Sequence, residues 1–219
     1  MKTNKEYKNE ALASLMGNWP KAVLSTVIYI VLAVSISLII EFVDPVSTPA
    51  GTFAAVYGIY LLLMVLVLMP LSVGYYVVYK DLLFNGSDDL TRGMFKIGFG
   101  KWWHNTWGML LTCIFIFLWS LLLFIPGLIK SFSYALTPYI LVDRPELSAN
   151  EAINLSMKMM KGHKFDLFWL ILSFLGWVLL SILTLGIGLF WLSPYMYTAY
   201  AAFYRDVKAE YETRNNSIN

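Results

Sequence analysis

The stretch "LVDRPELSANEAINLSMKMMKGHKFDLFWL", residues 141–170, is a polar interruption in an apolar chain. Ser148 and Glu151 within it form an S-x-x-E capping box, in which side-chain oxygens satisfy the free amides of a helix start. Beyond the cap, Ala149, Ala152, Ile153, Met157 and Met160 fall on one helical face. Asn150, Glu151, Asn154, Lys158 and Lys161 fall on the other. Gly162 stops the helix, and Phe165 opens the next apolar run. A helix with a basic polar face and an apolar face is expected to lie in a membrane interface, not to cross it.

The same pattern recurs twice. Thr3 and Glu6 form a second capping box, Tyr7, Ala11 and Leu15 a stripe, Gly17 a stop, and Trp19 follows. Ser87 is the third cap, with Asp88 and Asp89 in its first turn; Leu90, Met94 and Ile97 form its stripe, Gly100 its stop, and Trp102 and Trp103 follow. The cap-to-glycine separations are 14, 13 and 14 residues. Each unit ends with an acid beside a base, at Lys80-Asp81, Asp143-Arg144 and Arg205-Asp206. The pattern divides one membrane domain, residues 1–219, into repeats of about 1–81, 82–143 and 144–207.

The 219 residues are 58% hydrophobic and 14% charged, against about a quarter charged in a soluble domain. The excess falls in runs at 21–41, 52–79, 106–125, 128–142, 165–185 and 187–204. A span needs about 20 apolar residues, so 128–142 is short for one. The expected fold is all-α: a polytopic membrane bundle of about six transmembrane helices in three hairpins, each preceded by an interfacial amphipathic helix. With the hairpins paired this way, 15 of the 16 Lys and Arg fall on one side of the membrane, and Lys130 falls on the other. That bias places both termini and the two long linkers in the cytoplasm. The N-terminus has no apolar core of a cleavable signal, so the first span is expected to act as the insertion signal.

Catalytic and metal-binding patterns are missing. The two histidines, His104 and His163, each sit after an interfacial helix and read as solvated interfacial residues. Cys113, the single cysteine, implies neither a disulfide nor a metal site. No serine has a nucleophile-elbow setting, and no glycine loop suits a phosphate. Neither an enzyme nor a cofactor is expected, and a net charge of +2 without a basic aromatic patch gives no sign of nucleic acid.

Three sets of residues stand out. Asp81, Asp143 and Asp206 sit at helix C-termini, where a carboxylate opposes the dipole. Asp81 and Asp143 are expected to tie each hairpin to the helix that follows; a cytoplasmic ring of acids binding a cation is the alternative. Glu41 and Lys130 lie near outer span ends, where they either snorkel or pair across the outer face. "LTPY" at 136–139 and "LSPY" at 192–195 place prolines inside spans, where the kinks either shape helix packing or line a central cavity. That cavity would be lined by Ser131, Ser133, Thr137, Ser193, Tyr195 and Tyr197, while Tyr76, Tyr79, Tyr200 and Tyr204 read as interfacial belt anchors.

With "ALASLMGNWPKAV" at 11–23, "YILVDRPELSANEAINLSMKMMKGHKFDLFWLILSFLGW" at 139–177 and "SPYMYTAYAAFYRD" at 193–206, the chain resembles the bacterial integral membrane family catalogued as domain of unknown function 975. The resemblance implies a multi-pass bacterial plasma-membrane (inner-membrane) protein and carries no catalytic residues. Two functional readings follow. One is uncoupled transport or handling of a small neutral molecule or lipid, because ion coupling needs buried charge that the spans lack. The other is a non-transporting scaffold, immunity protein or assembly partner. The expected partners are the bilayer, a bound lipid or another membrane protein.

Overall fold

A computed structural model describes residues 1–41, 43–44, 46–86 and 89–216. Among them every regular element is helical. The first stretch of chain holds α1 (Asn4–Leu15), α2 (Trp19–Glu41), α3 (Ala50–Leu63), a π-helical turn (Met64–Leu68) and α4 (Met69–Asn85). The second holds α5 (Leu90–Gly100), α6 (Trp102–Leu122), α7 (Phe124–Tyr134) and α8 (Thr137–Asp143). The third holds α9 (Ala149–Met159), α10 (Lys164–Leu172), α11 (Leu175–Leu183) and α12 (Leu189–Asn216).

Among the described residues, four helical stretches are long and apolar enough to cross a membrane: Trp19–Glu41, Ala50–Asn85, Trp102–Leu122 and Lys164–Leu183. They mark a membrane protein. The run at 128–142 is broken into α7 and α8, because Pro138 has no amide to donate and its ring disfavours the preceding helical turn. The run at 187–204 lies in α12, which continues into a charged segment and buries Tyr195, Ala199, Phe203 and Tyr204 against the bundle.

Local chemistry sets the helix starts. Both capping boxes, Thr3 with Glu6 and Ser148 with Glu151, are formed. Gly17 and Gly162 take positive φ after α1 and α9, a conformation that favours glycine. The expected cap Ser87 lies outside the described residues, as does Asp88. The cap of α5 is Asp89, whose side chain accepts from the Arg92 amide. Gly100 does not stop α5: it is the last residue of that helix, and Lys101 alone separates it from α6. Ser148→Ala should lower stability by about 1 kcal/mol, read as the thermal midpoint of the detergent-solubilised protein.

The apolar stripes of α1, α5 and α9 do not face lipid. Tyr7, Ala11 and Leu15 of α1, Leu90 and Met94 of α5, Ala149, Ala152 and Ile153 of α9 and Met160 just after it are buried, while Ile97 and Met157 are half-buried. Helix α5 packs along α4, α9 along α8 and α6, and α1 along α12. The packing of α1 on α12 joins the two ends of the chain. The α4–α5 contact is antiparallel and backbone-close. A Cβ on Gly74 would lie 1.9 Å from the Met94 carbonyl oxygen, and one on Gly98 would lie 2.6 Å from that of Pro70. The turn from α6 into α7 and the turn from α11 into α12 are equally tight. A Cβ on Gly127 would approach Ser120 Cα to 2.8 Å, and one on Gly188 would approach Ser181 Cα to 2.9 Å, with the same seven-residue spacing.

Candidate functional site

Helix α4 is buried on nearly all sides from Pro70 to Leu82 and packs on both α8 and α12. The break before Pro138 opens space beside it. Across that break Ser156 of α9 accepts from the Leu136 amide at 3.2 Å and donates to the Ser133 carbonyl at 2.8 Å. A neighbouring hydroxyl thereby satisfies backbone groups left free where the helix is interrupted.

A cavity of about 250 Å³ lies where α4, α6, α7, α8, α10 and α12 meet. Its walls are apolar side chains interleaved with Tyr76, Tyr134, Tyr139, Tyr197 and Tyr200. The Tyr76 and Tyr197 hydroxyls interact, and their rings lie 4.8 Å apart. The hydroxyls of Tyr139 and Tyr200 have no hydrogen-bond partner among the described residues. At the cavity edge Ile116 is half-buried and Ile171 is 38% exposed, so the cavity opens on the apolar flank of the bundle.

Of the six expected lining residues, Ser131 and Tyr197 are in place. Ser133 turns its hydroxyl onto the Ile129 carbonyl at 2.9 Å. Thr137 is fully buried away from the cavity, its hydroxyl without a partner. Ser193 lies outside the cavity, and Tyr195 lines a separate groove with Trp19, Trp177 and Trp191. Residues two apart on a helix do not share a face, so 193, 195 and 197 could not all converge on one site. Tyr76 and Tyr200, expected in an interfacial belt, line the cavity instead. Tyr79 and Tyr204 are buried too, at 0% and 1% exposure.

Beside the cavity lies an ion cluster. Tyr139 stacks on Tyr204 at 4.8 Å, and the Tyr204 hydroxyl donates to Asp143 at 2.8 Å. Lys80 also donates to Asp143, and Lys208 does so at 2.9 Å. Asp143 thus ties α8 to α4 and α12, and it does not cap the helix that follows it. Burial pushes its carboxyl up, but the hydrogen bonds from Lys80 and Lys208 outweigh this and hold it below the usual value. The Asp81 carboxylate has no hydrogen bond among the described residues, and Asp89 takes the capping role expected of it. Asp206 accepts from Arg205 at 3.1 Å and lies 3.9 Å from Lys2, which precedes α1. Arg205 also grips Glu10 of α1 through two nitrogens, and this hydrogen bonding holds the Glu10 carboxyl down to about 2. The three acids sit in separate contacts, and no cluster suited to a metal occurs among the described residues.

The expected pair of Glu41 and Lys130 is not formed. Glu41 is exposed at the end of α2. The Lys130 ammonium lies 4.6 Å from the Trp119 ring centre and 3.7 Å from Met157 Sδ, so an aromatic face holds the cation. His163 is not solvated: its ring lies between Asp166 at 3.1 Å and Glu210 at 3.2 Å. The partly buried His104 ring has an Nε2 without a partner.

A family model described as "Protein of unknown function (DUF975)" matches residues 62–211. Residues 11–23 lie outside that match. No curated protein and no solved structure matches the chain.

Proposed function

The chain belongs to the family described as protein of unknown function (DUF975), and on that premise we propose that its tyrosine-lined cavity holds a small, mainly apolar molecule carrying a hydroxyl or carbonyl group. The observation that carries this reading is the pair of unpartnered hydroxyls, Tyr139 and Tyr200, in an apolar space open on one flank. An unpaired polar group in such surroundings is costly unless something meets it. The spans hold few ionisable groups, so the molecule is held or passed without ion coupling.

The bundle around the cavity is three hairpin units in the same orientation, six spans in all, related by an axis along the membrane normal. The pairings of α5 with α4, α9 with α8 and α1 with α12 support that arrangement, as do the matching hairpin tips. The Lys and Arg bias supports cytoplasmic termini in a bacterial inner membrane. The scaffold reading needs a surface that α1, α5 and α9 present to a partner. Their apolar stripes are already covered by the chain itself, which argues against it.

Native mass spectrometry of protein released from mild detergent tests the cavity. The wild type should retain one discrete small mass, and Ala135→Phe, which fills the cavity wall, should lose it. A bare wild type, or equal retention by the variant, would count against the site.

A further inference from the structure

Two apolar spaces follow one another along α12. The cavity described above takes Tyr197 and Tyr200 from α12 and Leu167 and Ile171 from α10. A groove of about 420 Å³ takes Leu192 and Tyr195 from α12 and Trp177 and Leu180 from α11. The two share no lining residue. Between them stands Phe174, fully buried at the break between α10 and α11. Its ring meets that of Tyr195, in the groove wall, at 5.0 Å and that of Tyr200, in the cavity wall, at 6.5 Å, both nearly perpendicular.

The break is held from outside its own helix. The Ser173 hydroxyl donates to the Leu170 carbonyl at 2.7 Å, a back-bond of the kind that bends helices. The Ser173 carbonyl accepts from the ammonium of Lys8 in α1 at 3.1 Å. The same ammonium lies 5.2 Å from the centre of the Phe174 ring, within reach of its negative face. One cation therefore holds both the carbonyl at the break and the ring beside it.

The two spaces offer different chemistry. The cavity has the unpartnered hydroxyls of Tyr139 and Tyr200, which suit a polar head. The groove has no charged residue in its wall, and its Ser181 and Thr184 hydroxyls already donate to backbone carbonyls. Such a wall suits a hydrocarbon tail. We infer that Phe174 is a gate between two chambers of one binding tract, closed in this structure and latched by Lys8. Its opening lets a tail extend from the cavity into the groove, so the full occupant is a single-chain amphiphile with an uncharged hydroxyl or carbonyl head. This inference rests on the cavity reading proposed above.

The test offers straight-chain primary alcohols of increasing length, from hexanol to hexadecanol, to the full-length protein in mild detergent. Native mass spectrometry records the longest alcohol retained as a one-to-one adduct. The wild type should retain the shorter alcohols and lose the longer ones, because the closed gate limits the tail. Phe174→Ala should shift that limit to longer chains. Lys8→Met leaves the core packing intact and keeps the test open should Phe174→Ala not fold; it should shift the limit in the same direction by favouring the open gate. Ala135→Phe should abolish retention of the whole series, because the head is then excluded. A limit that neither Phe174→Ala nor Lys8→Met moves would overturn the gate and leave the cavity standing, as would a wild type that retains every length. A wild type that retains no alcohol would overturn the cavity reading and the gate with it. Retention that survives Ala135→Phe would place the alcohol in the groove alone and overturn the shared tract.

Discussion

Asp143→Ala should lower the stability of the detergent-solubilised bundle by about 3 kcal/mol, the lower end of the range for breaking a buried ion pair. The reason is the lysine left behind. Lys80 is 7% exposed, and Asp143 is its acidic partner, so removing the carboxylate strands an ammonium in a dry site. The Tyr204 hydroxyl and Lys208 lose an acceptor at the same time. Adding Lys80→Met should restore much of the loss, because the uncompensated charge is then gone. Thermal midpoints of the two variants measure both effects. The pH dependence follows. The carboxyls of Asp143 and Glu10 are held below their unfolded values, so the stability they contribute is present above the ordinary carboxylate range. It is lost as the pH falls through their folded values, toward about 2 for Glu10. The midpoint should therefore fall on acidification from neutral pH.

Gly74→Ala should be comparably damaging, at about 3 kcal/mol, because overpacking here cannot be relieved by a side-chain rotation. The added methyl would meet the Met94 carbonyl at 1.9 Å and the Gly98 amide nitrogen at 2.9 Å, both of them backbone. Helices α4 and α5 would have to part along their length. Gly58→Ala is the control. It lies in α3 with nothing within 4 Å of the new methyl, so it should be neutral or slightly stabilising through helix propensity. Thermal midpoints of the two alanine variants, measured side by side, give the contrast.

What the sequence disclosed was mainly local. The capping boxes at Thr3 and Ser148 join residues three apart, so composition and spacing suffice to find them. The four longest apolar runs form the four helices long enough to span a membrane. The family was legible because its most specific block, Asp143 to Phe168, lies inside the matched residues. The acids were misread because their partners are distant. Asp143 meets Lys80, 63 residues away, and nothing in a stretch such as "LVDRP" names that partner. The tyrosines were misread for another reason. An amphipathic ring suits both an interfacial belt and a cavity wall, and placement decides between them. Ser156 gave no signal at all, because its two hydrogen bonds depend on how α9 packs against the break before Pro138.

The three-hairpin arrangement is tested most directly by single cysteines in a Cys113→Ser background, probed in intact cells with a membrane-impermeant maleimide. Val46, Phe124 and Leu185 mark the hairpin tips, and Gly86, Glu146 and Arg214 mark the linkers and the C-terminal segment. Three hairpins in one orientation predict labelling of all three tips from outside, with the other three sites reacting after the cells are opened. A tip that reacts from the same side as Gly86 would contradict the account.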